Sequence, residues 1–160
     1  MSNTNIEIER SWLVQDGVNI NELVAGITPQ RILTGLVNPL GKSPFERYRS
    51  ENDTFTYTTK TTDPENELKR IETNTVITES EFQKAIKSVA EIYDEHRYNI
   101  AIENNLTAEL KIYSGELAGC NIIEVEFDSI EQSNKFVTPE WFGKEITGMN
   151  VIELFNQFRL

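Results

Sequence analysis

Cysteine and histidine occur once each in the 160 residues, as Cys120 and His96. A single cysteine excludes an internal disulfide, and one of each leaves no Cys/His zinc set. His96 alone makes no case for Ser-His-Asp or Cys-His catalysis, and Cys120 reads as a buried, inert thiol. Basic residues are also scarce. Lys and Arg number 15 against 26 Asp and Glu, a net charge of −11. That balance argues against a general nucleic-acid or anionic-membrane binder, although a local cationic channel inside an acidic shell is compatible with it. No apolar run approaches the roughly 18 residues that suggest a membrane span. The opening Met-Ser-Asn-Thr-Asn lacks the basic and apolar regions of a signal peptide, so a cytoplasmic location is the expectation. There is no internal repeat, low-complexity tract or interdomain linker.

What is present suits one folded domain over residues 1–160, with 38% hydrophobic and 26% charged residues. The first ordered-looking stretch is Ile6-Glu7-Ile8-Glu9-Arg10-Ser11-Trp12-Leu13-Val14. On a strand, Glu7, Glu9 and Ser11 share one face while Ile6, Ile8, Trp12 and Val14 share the other. Neighbouring carboxylates then stand about 6–7 Å apart and repel unless a cation lies between them.

The order of elements follows from turn and periodicity signals. A short helix over Asn19–Ala25 is stopped by Gly26, and a strand follows at 30–37. Residues 38–44 carry two prolines and a glycine and read as a loop. Strands at Phe45–Ser50 and Thr54–Thr61 flank a hairpin turn at Glu51-Asn52-Asp53, and another runs from about Leu68 to Ile77. Thr78-Glu79-Ser80-Glu81 has capping-box spacing, opening a helix expected over about Ser80–Asp94 with Phe82, Ala85, Ile86, Val89 and Ala90 on its apolar stripe. Further strands are expected at Glu95–Glu103, Thr107–Ser114 and Asn121–Phe127, then a short capped helix over Ser129–Phe136. Val151, Leu154, Phe155 and Phe158 recur at helical spacing and suggest a docking face. This predicts an α+β fold of about eight mostly antiparallel strands with few helices, and barrel closure is one good way to leave no edge exposed.

Period 2 applied strand by strand gathers the charges. Arg47 goes with Arg49, Thr58 with Lys60, and Arg70 with Glu72 and Asn74. Glu95 goes with Arg97, Glu109 with Lys111, and Glu124 with Glu126. The opposite faces carry Ile71, Leu110, Ile112, Ile123, Val125 and Phe127, which need helices to cover them. The polar faces are then free to turn inward and line a charged lumen. Such a lumen is costly without a ligand. Its arginines and lysines suit phosphates, and its carboxylates suit Mg²⁺ or Mn²⁺.

These motifs, in this order, resemble the CYTH superfamily of triphosphate tunnel metalloenzymes. Glu7-Ile8-Glu9 resembles its opening Glu-x-Glu, Arg47-Tyr48-Arg49 its Arg-x-Arg strand and Thr58-Thr59-Lys60 its Thr-x-Lys strand. Arg70-Ile71-Glu72, Arg97-Tyr98 and Glu124-Val125-Glu126 fall where similar pieces are expected. Pro139-Glu140-Trp141-Phe142-Gly143-Lys144-Glu145-Ile146-Thr147 resembles a Pro-x-Trp-Leu-Gly-x-Glu-Val-Thr segment. The resemblance implies an eight-stranded tunnel that binds a triphosphate-containing small molecule with Mg²⁺ or Mn²⁺. Arg47, Arg49, Lys60, Arg97 and Lys111 would contact substrate. Glu7, Glu9, Glu72, Glu124 and Glu126 would hold metal, one ion orienting phosphates and a second activating water, with Glu124 and Glu126 the catalytic pair.

Several positions depart from that pattern. Ser11 stands where a lysine is expected and Ile32 where a tyrosine is expected. Glu95 replaces a lysine, Lys111 an aspartate and Asn74 a glutamate. Glu95 and Lys111 reverse charge in opposite senses and can compensate. Losing a transition-state charge costs about 2.7–4 kcal/mol, enough to slow catalysis and leave phosphate binding. The favoured expectation is therefore a metal-dependent triphosphatase acting on inorganic triphosphate or a nucleoside triphosphate. The alternative is a tunnel that binds nucleotide or polyphosphate without turnover. An adenylate cyclase ranks lower, since no residue marks an adenine pocket. No nucleic-acid or membrane partner is expected, and the oligomeric state is open, a homodimer being one option.

Overall fold

The computed structural model describes residues 2–39, 41–149 and 151–157, the side chains of 3, 67, 116 and 151–153 excepted. Its strands are β1 (Ser2–Val14), β2 (Gln30–Leu36), β3 (Phe45–Glu51), β4 (Thr54–Asp63), β5 (Asn66–Ile77), β6 (Glu91–Ala101), β7 (Thr107–Tyr113), β8 (Asn121–Glu126) and β9 (Phe142–Glu145). The helices are α1 (Ile20–Leu23), α2 (Glu79–Ile86), α3 (Ile130–Lys135) and α4 (Val151–Asn156), with a 3₁₀ turn at Gly115–Leu117. Among the described residues, no helix is long and apolar enough to cross a membrane.

β1 closes the barrel. Ser2–Ile8 pair antiparallel with Lys69–Thr75 of β5, and Glu9–Leu13 pair with Ile122–Glu126 of β8. Between those two seams the order runs β5-β4-β3-β2-β6-β7-β8, each neighbour antiparallel. An eight-stranded α+β barrel results, as the resemblance implies, with β9 an extra strand on β1. A closed barrel leaves no edge inside the ladder, and short connections suffice because every pair is antiparallel.

The apolar faces point outward and most lie beneath helices and loops. Ile8, Trp12, Leu110, Ile123, Val125 and Phe127 form a buried cluster with Ile20, Leu23 and Val24 of the α1 region, Ile130 of α3, and Phe136. Leu154 and Phe155 of α4 join Leu117, Cys120, Ile122 and Ile146 in a second cluster. Cys120 is free and buried, and burial pushes its thiol up to about 11. Phe158, expected on the α4 face, lies outside the described residues, as does the side chain of Val151.

The β1–β5 wall is an exception to helical cover. Ile6 and Ile71 oppose each other in register and are 67% and 42% exposed. Hydroxyl pairs Ser2–Thr75 at 2.8 Å and Thr4–Thr73 at 3.2 Å continue the same outer ladder. Threonine packs well on a pleated surface and keeps its hydroxyl in water or on a neighbour, so this wall stands without a helix over it.

The helix expected over Ser80–Asp94 is corrected. Its capping box forms as read: the Glu81 N–H donates to Thr78 Oγ1 at 3.1 Å, and the Thr78 N–H donates to Glu81 Oε2 at 2.7 Å. The helix nevertheless stops at Ile86. Ala90 N–H bonds Leu36 O at 2.8 Å, and Glu91–Asp94 zip onto Leu36–Leu33 of β2. Tertiary pairing overrides helical spacing there. Gly35 explains where α2 rests: a Cβ on it would meet Ile86 Cδ1 at 2.5 Å.

The Pro139–Thr147 segment is a strap. Phe142–Glu145 pairs irregularly with the C-terminal end of β1. Arg10 donates to both oxygens of Glu145, at 2.7 and 2.9 Å, and lies 5.0 Å from the Trp12 ring centroid. Ser11 N–H donates to Thr147 Oγ1 at 2.9 Å, while Ile146 N–H donates to Ser11 O at 2.8 Å. The motif's glycine is needed for contact, since a Cβ at Gly143 would meet Gln15 backbone atoms at 3.0 Å.

Candidate functional site

The inward faces enclose a cavity of about 300 Å³. Every residue given a substrate or metal role from the sequence lines it: Glu7, Glu9, Arg47, Arg49, Lys60, Glu72, Arg97, Lys111, Glu124 and Glu126. Arg70, Glu95 and Glu109 line it as well, on the same alternation. Tyr93, Tyr113, Phe45, Leu36, Ile122, Phe155 and Thr34 complete the wall. Tyr93 escapes sequence reasoning because its segment reads as helix. Phe155 reaches in from the C-terminal helix, where no local signal marks it as lumenal.

One part of the wall is cationic. Arg49 is pushed down to about 10, first by burial and then by Arg47 and Arg97. Arg47 Nη2 is 3.9 Å from Glu72 and Arg49 Nη2 is 4.0 Å from Glu95, both loose contacts. The Nε atoms of Arg47 and Arg97 are buried with no acceptor. Burying charged donors without partners is expensive, so this geometry suits an anion that would take them.

A second part is a chain of paired charges. Lys60 Nζ lies 3.0 Å from Glu7 Oε1 and 3.2 Å from Glu72 Oε2. Thr58 Oγ1 donates to Asn74 Oδ1 at 2.6 Å, and Asn74 Nδ2 donates to Glu72 Oε1 at 2.6 Å. Asn74 thus orients Glu72 by hydrogen bonding. Burial and the neighbouring Glu9 raise the Glu7 carboxyl to about 8, against the pull of Lys60, and its side chain bonds Glu72. Glu72 falls to about 2: burial raises it, but hydrogen bonds from Glu7 and Asn74, with Lys60 and Arg47 nearby, outweigh that.

The third part is acidic. Glu9 opposes Glu126, Ser11 opposes Glu124, and Glu109 opposes Glu124 on the far side. Lys111 Nζ is 2.6 Å from Glu124 Oε2, and Arg70 Nη1 is 3.1 Å from Glu9. Glu124 is held at about 2, since Lys111, Lys60 and Arg97 outweigh burial. Glu126 enters no ion pair among the described residues. Burial raises its carboxyl, and Glu9, Glu109 and Glu72 raise it further.

Carboxylates are the right donors for Mg²⁺ or Mn²⁺, yet among the described residues no three acidic, His or Cys side chains are gathered to hold a metal. The fixed cations explain this: Lys60 occupies Glu7 and Glu72, and Lys111 occupies Glu124. Arg70 likewise stands 3.1 Å from Glu9, so of the five carboxylates only Glu126 has no ion pair among the described residues, and the negative charge crowded around it would suit a cation. Glu95 and Lys111 do not meet each other in the network. Glu95 contacts Arg49 and Arg97, and Lys111 contacts Glu124.

Solved structures share this architecture. A crystal structure of an inorganic triphosphatase superposes with a TM-score of 0.61 at 22% identity, covering 89% of this chain and 87% of that one. A candidate adenylate cyclase from Bacillus halodurans gives 0.63 at 20% identity over 98% and 93% of the two chains. The closed barrel fits the CYTH tunnel fold. A Hippeastrum protein described as a candidate adenylyl cyclase with a dominant triphosphatase activity gives 0.63 at 14% identity over 100% and 97%. In sequence, the inorganic triphosphatase of Nitrosomonas europaea is 33% identical over 54 residues. That match spans 34% of this chain and 36% of the relative, about a third of each. No protein-family model matches the chain. Barrel closure sets the faces of the charged side chains, and the register sets their neighbours.

Proposed function

We propose that this chain binds a triphosphate compound in its tunnel and hydrolyses it with Mg²⁺ or Mn²⁺. The observation that carries the reading is one cavity with two unsatisfied poles. Arg47 and Arg97 present buried donors without acceptors, and Glu126 crowds against Glu9 and Glu109 without a cation of its own. A phosphate chain with a divalent cation satisfies both. Arg47, Arg49 and Arg97 would bind phosphate oxygens, with Lys60 beside them. Glu9 and Glu126 would hold the cation, and Glu7, Glu72 and Glu124 would join where a ligand draws Lys60 or Lys111 away. The cation, when bound, supplies charge neutralisation and a lowered pKa for a bound water. The partial sequence match to an inorganic triphosphatase supports inorganic triphosphate as the first substrate to try.

A second reading, binding without turnover, is favoured by Ser11 and Ile32. Ile32 is fully buried and has no proton to give. The backbone N–H of Ser11 is engaged by Thr147, and its side chain carries no charge.

Phosphate release from tripolyphosphate, ATP and GTP, with Mg²⁺, Mn²⁺ or a chelator, separates the two. Release is expected only with a divalent cation, and Glu124→Gln is expected to lower it. Thermal stabilisation by the same compounds without release would support the binder through linkage. Absence of both would overturn the tunnel as a ligand site.

A further inference from the structure

Glu95 differs from the other inner carboxylates because it faces arginines and is not needed to balance a lysine. It is 2% exposed, and its Oε2 is buried with no hydrogen-bond donor. Its Oε1 lies 3.4 Å from Arg97 Nη2 and 4.0 Å from Arg49 Nη2. The charged and titratable groups that interact with it are Arg49 on β3, Arg97 on β6 and Tyr113 on β7. None of them gives Oε2 a hydrogen. β2 offers only buried Ile32 and Thr34, whose hydroxyl accepts from Arg49 Nε at 3.3 Å.

A phosphate gripped by Arg49 and Arg97 would lie beside Glu95, because both guanidiniums stand within 4.0 Å of its Oε1. Two bare anionic oxygens in contact repel strongly away from bulk water. An ionised carboxylate only accepts, but a protonated acid group donates. One proton between the two oxygens removes the repulsion and fills the vacant hydrogen bond of Glu95.

We propose that Glu95 makes this end of the tunnel a reader of free terminal phosphates, whose binding takes up one proton shared between Glu95 Oε2 and a phosphate oxygen. The proton comes from solvent, and no covalent bond is made or broken. A terminal phosphate has a second ionisation with a pKa of about 6, so it accepts that proton readily, whereas an esterified terminal phosphate does not. The ligand class is therefore a polyphosphate or nucleoside triphosphate with an uncapped end. This inference rests on the proposed tunnel function.

The test is calorimetric titration with tripolyphosphate at pH 8, without divalent cation so that nothing turns over, in two buffers of different ionisation enthalpy. Wild type is expected to take up about one proton more per ligand than Glu95→Gln, with Glu95→Asp behaving like wild type. An equal count in wild type and Glu95→Gln overturns the proposal and leaves the tunnel reading intact. No binding to wild type overturns both. Should the variants fail to fold, wild type alone decides: ATP should show the extra uptake and its γ-methyl ester should not. Equal uptake with the two overturns the proposal.

Discussion

Replacing Glu7 by Gln is expected to stabilise the chain at pH 8 by about 2–4 kcal/mol while weakening its hold on a divalent cation and on tripolyphosphate. Burial and Glu9 raise the Glu7 carboxyl from 4.5 to about 8, at about 1.4 kcal/mol per unit. A group whose folded pKa exceeds its unfolded value binds a proton on folding, so wild-type stability falls as pH rises from about 4.5 to about 8. The amide has no proton to lose and keeps a donor for Glu72, but forfeits part of the attraction of Lys60. Its gain should be small at pH 5, grow through that window and level off above pH 8. Denaturant unfolding of both proteins at pH 5, 7 and 8.5 checks it, and a gain that does not change with pH would sink the idea. Glu72 and Glu124, both held at about 2, act in the opposite sense. Their stabilisation is complete above about 4.5 and is lost as pH falls towards 2. Wild type should be most stable near pH 5. If Glu7 holds a cation as proposed, that carboxylate costs stability at neutral pH, a common trade at functional sites.

A period of 2 sorted the charged residues onto one face of each strand, and the family resemblance said that this face turns inward. Once the strands are placed, Glu7, Arg47, Lys60, Arg97 and Glu124 have one face each, and the buried apolar residues on the other face show which side helices cover. What pairs with what was not legible. Lys60 meets Glu7 and Glu72 through the β4–β5 and β1–β5 registers together, and no local pattern carries two registers at once. The strand start at Glu91 was hidden because Val89 and Ala90 extend the α2 stripe, while Leu36 supplies the competing bond from far along the chain. β9 has only four residues, too few for a periodicity, although its motif was visible as the strap around Gly143. Ile71 was expected under a helix. It sits on the threonine wall because β1 and β5 close the barrel there and hydroxyl ladders replace cover.

Lys111→Met is expected to lower turnover by about 10²–10³-fold, the range for removing one preorganised charge, and Ser11→Lys is expected to restore much of it only when Lys111 is gone. β8 lies between β1 and β7, and Glu124 on it opposes Ser11 on one side while Lys111 reaches it from the other at 2.6 Å. The ammonium that the Glu-x-Glu-x-Lys resemblance expects from position 11 is thus delivered to the same carboxylate by the other flanking strand. In wild type, a lysine at 11 would set a second ammonium beside Lys111, and the repulsion cancels its benefit. With Lys111 removed, Glu124 loses its nearest counter-charge, at a cost of roughly 3 kcal/mol of stability, and a lysine at 11 supplies a replacement. The four proteins of the cycle, compared by phosphate release and by denaturant unfolding, should show strong coupling of favourable sign in both measurements. Additive effects would mean that Lys111 is a local counter-ion and that the lost lysine of β1 has no successor. Restored stability without restored turnover would confine Lys111 to holding Glu124 and leave the chemistry with the cationic pole at Arg47, Arg49 and Arg97.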